Sequence, residues 1–366
     1  MAALVLVAVV LFGYVLSHRQ PAVRPRATAP VGVPVPPFVP PDPGPQLFGS
    51  VRAGPPGLRL LVDGTDPRIV DAHTLAVTPV PGLRLRPGQV ARVLQFGSAA
   101  VAALAPLYGP RGGIYLVRPG EPALPLGDDG VFLPSRDRGL VAATYRPGGT
   151  TVTGLAFDRR VRWRWSRPGN VEPLRDTPAG LVVAQHPDAV AGEAELLLLD
   201  RQTGVVRRRL GQARWAVATD DRSIAWVPAR CDPDCLVIRT ELTSGAARGY
   251  RMPGRREPAA GAFAPDGQRL ALSFPGVPAD PRTPARPGFA GVLDLRTSTL
   301  TSVPGLATPP SDHAAVTWSA DGRWLVLGVT WPEEELIAVW RPGVEVIILP
   351  LALPGAPTTA TLAALR

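Results

Sequence analysis

Along most of the chain, apolar residues come in short runs separated by Gly, Pro, Asp, Ser and Thr. That is the pattern of strands and turns, not of long helices. Two stretches are near copies: AFAPDGQRLALSF from Ala262 to Phe274, and TWSADGRWLVLGV from Thr317 to Val329. Each reads as a strand end, an Asp-Gly turn and a second strand. Aligning the chain on the first apolar residue after the turn places Leu58, Val101, Leu140, Leu181, Ile224, Leu270 and Leu325 in register. The spacings are 43, 39, 41, 43, 46 and 55 residues. A second pattern interleaves with the first, starting at Arg68, Ile114, Thr153, Leu196, Leu236, Gly291 and Ile337. It is an apolar run, a polar turn and another apolar or alternating run, which predicts a hairpin. A further apolar segment precedes the first pattern, most clearly from Gln89, Ala213 and Asp312.

Four strands per unit of roughly 40–45 residues, repeated, predict a β-propeller. The expected fold is all-β, with seven four-stranded blades (six or eight being the alternatives) preceded by one hydrophobic helix. The stretches Phe263 to Leu270 and Trp318 to Leu325 resemble the aromatic-Ser-Pro-Asp-Gly repeat of TolB-type, WD-repeat-like propellers, and LLLLDRQTG from Leu196 to Gly204 resembles their outer hairpin. The resemblance covers about residues 47–350. It implies a fold, because propellers host many unrelated roles.

The N-terminus departs from this pattern. AALVLVAVVLFGYVL, Ala2 to Leu16, is continuously apolar, and as a helix it would reach roughly 22–25 Å. The one Ala-x-Ala before the repeats, at Ala27 to Ala29, lies far from this run and is followed by Pro30, a poor cleavage site. Residues 21–46 are rich in proline and predict a semi-rigid spacer. The expected layout is a signal-anchor or transmembrane helix over 1–17, a linker over 18–46, the propeller over 47–350 and a tail over 351–366. Arg19, Arg24 and Arg26 follow the apolar run, which would keep the domain in the cytoplasm. Cys231 and Cys235, the two cysteines, point the other way. They read as a small disulfide loop and hence an oxidising compartment. The expectation is a single-pass membrane protein with an extracytoplasmic propeller.

Composition changes this picture little. The 45 prolines and 38 glycines suit a turn-rich fold, and the net charge of +9 comes wholly from arginine, since the chain has no lysine. That bias matches a basic background, and no nucleic-acid partner is expected. There is no His-Glu-x-x-His, no Gly-x-Ser-x-Gly and no phosphate loop. Asp266 and Asp321 are expected to bond local backbone amides, with glycine taking the positive φ. In DRRVRWRWSR, Asp158 to Arg167, arginines and tryptophans alternate. On an outermost strand the arginines would face solvent and the tryptophans the next blade. Arg207, Arg208 and Arg209 fall on another outermost strand.

The irregular segments lie between the second and third strands of the units: 109–113, 186–195, 230–235, 275–290 and 331–335. Strand alternation puts them on one face, where unrepeated insertions often build a binding surface. Tyr108, Arg111, His186, Arg282, Arg286, Trp331, Glu333, Glu334 and Glu335 are the candidate contact residues. No cofactor or metal is expected. The expected function is a non-catalytic, membrane-anchored binding or scaffolding module at the cell envelope, monomeric, with protein or glycan partners. The alternative is a propeller enzyme of glycan lyase or hydrolase type, with its site at the central channel.

Overall fold

The computed structural model describes residues 49–62, 67–81, 83, 89–96, 99–106, 114–117, 121–127, 131–137, 139–156, 160–186, 193–230, 235–276, 287–306, 314–330, 335–353 and 362–365. By compactness the chain divides into Met1–Pro30 and Val31–Arg366. The first unit lies outside the described residues, as does the expected N-terminal helix. No helix among the described residues is long and apolar enough to cross a membrane.

The described part of the second unit is almost entirely strand. A short strand β1 (Ser50–Val51) comes first, then β2 (Arg59–Val62), β3 (Arg68–Asp71) and β4 (Val77–Pro79). Next come β5 (Gln89–Phe96), β6 (Ala99–Pro106), β7 (Ile114–Val117) and β8 (Leu124–Gly127). A third group is β9 (Val131–Ser135), β10 (Gly139–Arg146), β11 (Gly149–Ala156) and β12 (Val161–Pro168). It is followed by β13 (Asn170–Thr177), β14 (Gly180–His186), β15 (Ala194–Leu199) and the long β16 (Val206–Thr219). Then come β17 (Ser223–Pro228), β18 (Leu236–Glu241) and β19 (Ala247–Arg251). β20 (Ala260–Phe263), β21 (Arg269–Phe274), β22 (Phe289–Asp294) and β23 (Thr299–Ser302) form the next group. The last strands are β24 (Ala314–Trp318), β25 (Leu325–Thr330), β26 (Glu335–Trp340), β27 (Ile347–Leu353) and β28 (Leu362–Leu365).

Successive strands pair as antiparallel neighbours, giving four-stranded sheets β5 to β8, β9 to β12, β20 to β23 and β24 to β27. Strands β13 to β19 form one seven-stranded sheet, because β16 serves two units. Its first half pairs with β15, as in Leu197 opposite Arg209. Its second half pairs with β17, as in Thr219 opposite Ile224. The sheet of β2, β3 and β4 takes its fourth strand from the other end of the chain, with Leu60 of β2 opposite Ala364 of β28. β1 in turn adds a parallel edge to β27, Ser50 opposite Ile347. The seven aligned positions of the first sequence pattern all fall on or beside second strands of these units, and the second pattern falls on the outer hairpins. Both ends differ from expectation. β27 runs on to Leu353, and the supposed tail supplies β28, a strand of the first sheet.

The core lies between sheets, because strand alternation gives each sheet two apolar faces. Along β21, Leu270 and Leu272 pack with Val227, Val237 and Tyr250 of the preceding unit. Ala271 between them faces Leu325, Leu327 and Trp340 of the following one. The same division holds on β25. Val326 turns from its neighbours to join Leu60 and Val70 of the first sheet. At 0% exposure, residues such as Leu270, Leu325 and Leu60 each contribute roughly 1.5–3 kcal/mol by burial.

The turns are held by carboxylates. Asp266 Oδ1 accepts from Gln268 N at 2.8 Å and Asp321 Oδ1 from Arg323 N at 3.0 Å, with Gly267 and Gly322 at φ 67° and 68°. Both aspartates are therefore fold elements, as expected. The outer hairpins repeat the device. Asp71, Asp200 and Asp294 accept from Thr74 N, Thr203 N and Thr297 N, each at 2.9 Å. The residue four positions after each aspartate returns a backbone bond of 2.8 Å and takes a positive φ. In these turns it is Leu75, Gly204 and Ser298.

These bonds favour the ionised aspartate. The amide of Thr203, with its hydroxyl and Arg207, brings Asp200 from 3.8 to about 2. Thr74 N lowers Asp71 and Thr297 N lowers Asp294. Because the folded values lie below the unfolded ones, the contribution is complete above about pH 4 and is lost as pH falls towards about 2. Acid unfolding should therefore steepen in that window. Asp200→Asn should flatten it and leave stability near pH 2 almost unchanged, as read from denaturant midpoints across pH.

Candidate binding face

In each four-stranded unit, antiparallel order puts the first-to-second and third-to-fourth turns at one end of the sheet and the second-to-third connection at the other. Contacts across units show that the turn ends lie side by side. Ser135 Oγ donates to Asp176 Oδ2 at 2.8 Å, Arg175 Nη2 meets Asp221 Oδ1 at 3.0 Å, and Arg269 Nη2 donates to Gly322 O at 2.9 Å. The opposite ends therefore share the other face.

Two polar groups stand out on that face among the described residues. One lies at the start of β13 and the end of β14. His186 Nε2 sits 3.8 Å from Glu172 Oε2, with the imidazole 18% exposed and the carboxylate 48%. Asn170 and His186 are direct cross-strand partners. Asn170 Oδ1 and His186 Nδ1 are both buried without a hydrogen-bond partner. An unsatisfied buried polar atom costs roughly 1–3 kcal/mol, so this is a place where an added polar group would be held. The second group lies between β16 and β20. Arg214 Nη1 grips both oxygens of Glu257 at 2.9 and 3.0 Å and lies 4.9 Å from the Trp215 ring centroid. Trp215 Nε1 donates to Pro258 O at 3.0 Å, fixing the indole. Cys235 is buried, with Sγ 3.9 Å from Glu257 Oε1. Phe274 and Phe289 stack at 4.4 Å where the connection 275–288 leaves and rejoins its sheet.

Most of the candidates chosen from sequence are not among the described residues. Tyr108, Arg111, Arg282, Arg286, Trp331, Glu333 and Glu334 lie outside the described residues, as does Cys231, so the expected Cys231–Cys235 disulfide does too. Glu335 opens β26, its backbone opposite Thr330. His186 is described, and it is mostly enclosed beside Glu172. Glu172, Arg214, Trp215 and Glu257 escaped the sequence reading because they stand on regular strands and a connector, with no local mark. Asn170 had one signal, as the only asparagine in the chain. Among the described residues, no group of three His, Cys, Asp or Glu could hold a metal ion.

No family model matches this chain, and no curated protein matches it. Solved structures do. A protein from Lactobacillus plantarum is 13% identical, with a TM-score of 0.54 over 84% of this chain and 100% of that one. A functionally unknown protein from Desulfotomaculum acetoxidans is 11% identical, with a TM-score of 0.54 over 84% and 99%. TolB from Acinetobacter baumannii is 15% identical, with a TM-score of 0.48 over 86% and 81%. At such identities a likeness speaks for fold alone. The β-propeller reading of this chain rests on its own succession of four-stranded sheets.

The turn face is built differently from the connection face. Asp176 is fully enclosed there, accepting from Ser135 Oγ and from Arg136 N, with Arg201 Nη1 at 3.6 Å. Arg201 also pairs with Asp137, and this hydrogen bond lowers the Asp137 pKa. The alternating stretch behaves as expected of an outer strand. Arg162 and Arg164 of β12 are exposed, while Trp165 is 8% exposed and donates to Arg201 O at 3.0 Å. The cluster is therefore a clasp between two sheets. Arg201→Met should cost about 3–5 kcal/mol, because it strands the Asp176 carboxylate in the interior. Asp137→Asn, at a partly exposed partner, should cost no more than about 1 kcal/mol. Equal losses in urea unfolding would refute this assignment.

Proposed function

We propose that the sheets close into a seven-bladed propeller, held at the membrane by the apolar N-terminal segment, and that it serves as a non-catalytic binding or scaffolding module. Its contact surface is the face bearing the second-to-third-strand connections. One observation carries this reading. The turn face is taken up by carboxylate-held turns and inter-sheet clasps, whereas the connection face bears long links between strands, such as that from Phe274 of β21 to Phe289 of β22.

Closure is supported at both chain ends. β28 completes the first sheet, β1 lines the last, and Leu60 and Val70 share a cluster with Val326 and Val339. Deleting residues 362–366 should expose the edge of β2 and lower stability by at least about 2 kcal/mol. An unchanged unfolding midpoint would count against a closed ring. The export reading rests on Cys231 and Cys235 forming a disulfide, which thiol labelling with and without reductant reads directly.

The binding reading is tested with immobilised residues 47–366 exposed to envelope extracts. Replacing residues 278–285 by a Gly-Ser segment should abolish capture of a partner that the double variant Arg222→Ser/Arg323→Ser, on the turn face, still retains. Capture that survives the loop replacement, or is lost only with the turn-face variant, would sink the proposal.

A further inference from the structure

The arginines on the outer strands are confined to one arc. The outer strands β4, β8, β23 and β27 carry no charged residue at all. Three consecutive ones are rich in arginine: β12 has three, the Val206–Leu210 half of β16 has three and β19 has two, and none of them has a carboxylate. The chain's lack of lysine explains why these cations are arginines, not why they are gathered on three neighbouring units.

The arc is continuous. Arg167 Nη1 donates to Gly204 O at 3.3 Å, joining β12 to the turn before β16. The Arg208 guanidinium lies against Gly245, in the turn before β19, where a Cβ would fall within 2.3 Å of its Nη1. Only part of the charge is compensated. Arg207 pairs with Asp200 and Arg209 with Glu195. Arg167 donates to neutral oxygens, of Gln185 and Gly204, and Arg162 donates to Asp137 O, with the Asp137 carboxylate, itself paired with Arg201, also within reach of its charge. Arg164 is exposed, and its side chain has no hydrogen bond or ion pair among the described residues. Val161 and Val205 stand beside these arginines, 50% and 63% exposed.

We propose that this arc docks on an anionic phospholipid surface. The aromatics that alternate with the arginines pack inward: Trp165 is 8% exposed, Tyr250 0%, and the half-buried Trp163 lies with its ring against Gly154. The arc therefore offers no stacking platform for bases, which single-stranded nucleic acid would use. It lies along the outer strands of three units, in two sheets, and combines basic side chains with exposed valines. That mixture suits the interface of a bilayer, where anionic headgroups attract arginine and the acyl boundary accepts apolar groups. The choice of a bilayer also draws on the proposed N-terminal anchor. None of Arg162, Arg164 and Arg209 belongs to the connection 275–288, so replacing 278–285 should leave this binding unchanged.

Two measurements test the proposal. The full chain is reconstituted into vesicles of phosphatidylglycerol and phosphatidylcholine in equal parts, and into phosphatidylcholine alone, then labelled with an arginine-directed dicarbonyl. Arg162, Arg164 and Arg209 should be protected on the anionic vesicles only, while Arg222, Arg296 and Arg323 on the turn face label equally on both. In the second, residues 47–366, which contain every strand pairing described, are sedimented with the same vesicles. Arg162→Ser/Arg164→Ser/Arg209→Ser should weaken binding to anionic vesicles on the order of a hundredfold, about fivefold per arginine. Arg222→Ser/Arg296→Ser/Arg323→Ser, with the same change in net charge, should leave it within about twofold. Equal labelling on both vesicles, or equal weakening by the two triple variants, overturns the proposal. So does protection of the arc by a single-stranded oligonucleotide or by polyglutamate where anionic vesicles give none.

Discussion

Everything in this fold depends on sheets that are apolar on both faces. A strand such as β21 sends Leu270 and Leu272 to one neighbour and Ala271 to the other. A four-stranded sheet of that kind cannot stand alone in water, nor can a row of them, because the end sheets would each expose an apolar face. The cluster joining Val326 and Val339 of the last sheet to Leu60 and Val70 of the first answers that constraint. The two chain ends act at the same place, β28 inside the first sheet and β1 along the last. The hydrophobic effect supplies the driving force, and strand alternation turns it into a succession of sheets.

The same alternation divides labour between the ends of the strands. At one end, aspartates such as Asp200, Asp266, Asp294 and Asp321 bond backbone amides and fix the turns. Arg269, Arg175 and Ser135 then join one turn to the next. That end is committed to structure. At the other end the connections vary in length and composition. A surface used for recognition needs this freedom, because residues already spent on clasping neighbours cannot be changed without loss of stability.

Much of this was legible in sequence. The first aligned position fell on or beside the second strand in all seven units, including the eroded copies at Leu140 and Leu181. Hydrophobic period and turn residues are local properties that survive divergence. The stretch Val161 to Arg167 was also readable, since a strand with alternating Arg and Trp admits one sensible orientation at an edge. The candidate face was less legible. His186 stands at a loop boundary and invites a functional reading, yet its environment comes from Glu172, fourteen positions earlier on a paired strand. Arg214 and Glu257 meet across two units, and neither segment marks the other.

The sequence by itself determined the number and order of the strands in the repeated units, their turns, and which side chains alternate inward. These follow from interactions within a few residues. Tertiary structure alone decided how the ends are used. Nothing local in Leu362 to Leu365 names Arg59 to Val62 as its partner, because a short run of leucine and alanine fits a helix, a tail or a strand equally well. Nor does the Val206 to Thr219 stretch announce that one strand will serve two units. Such pairings are settled by which apolar faces remain uncovered once every local sheet has formed, and that is a property of the whole assembly.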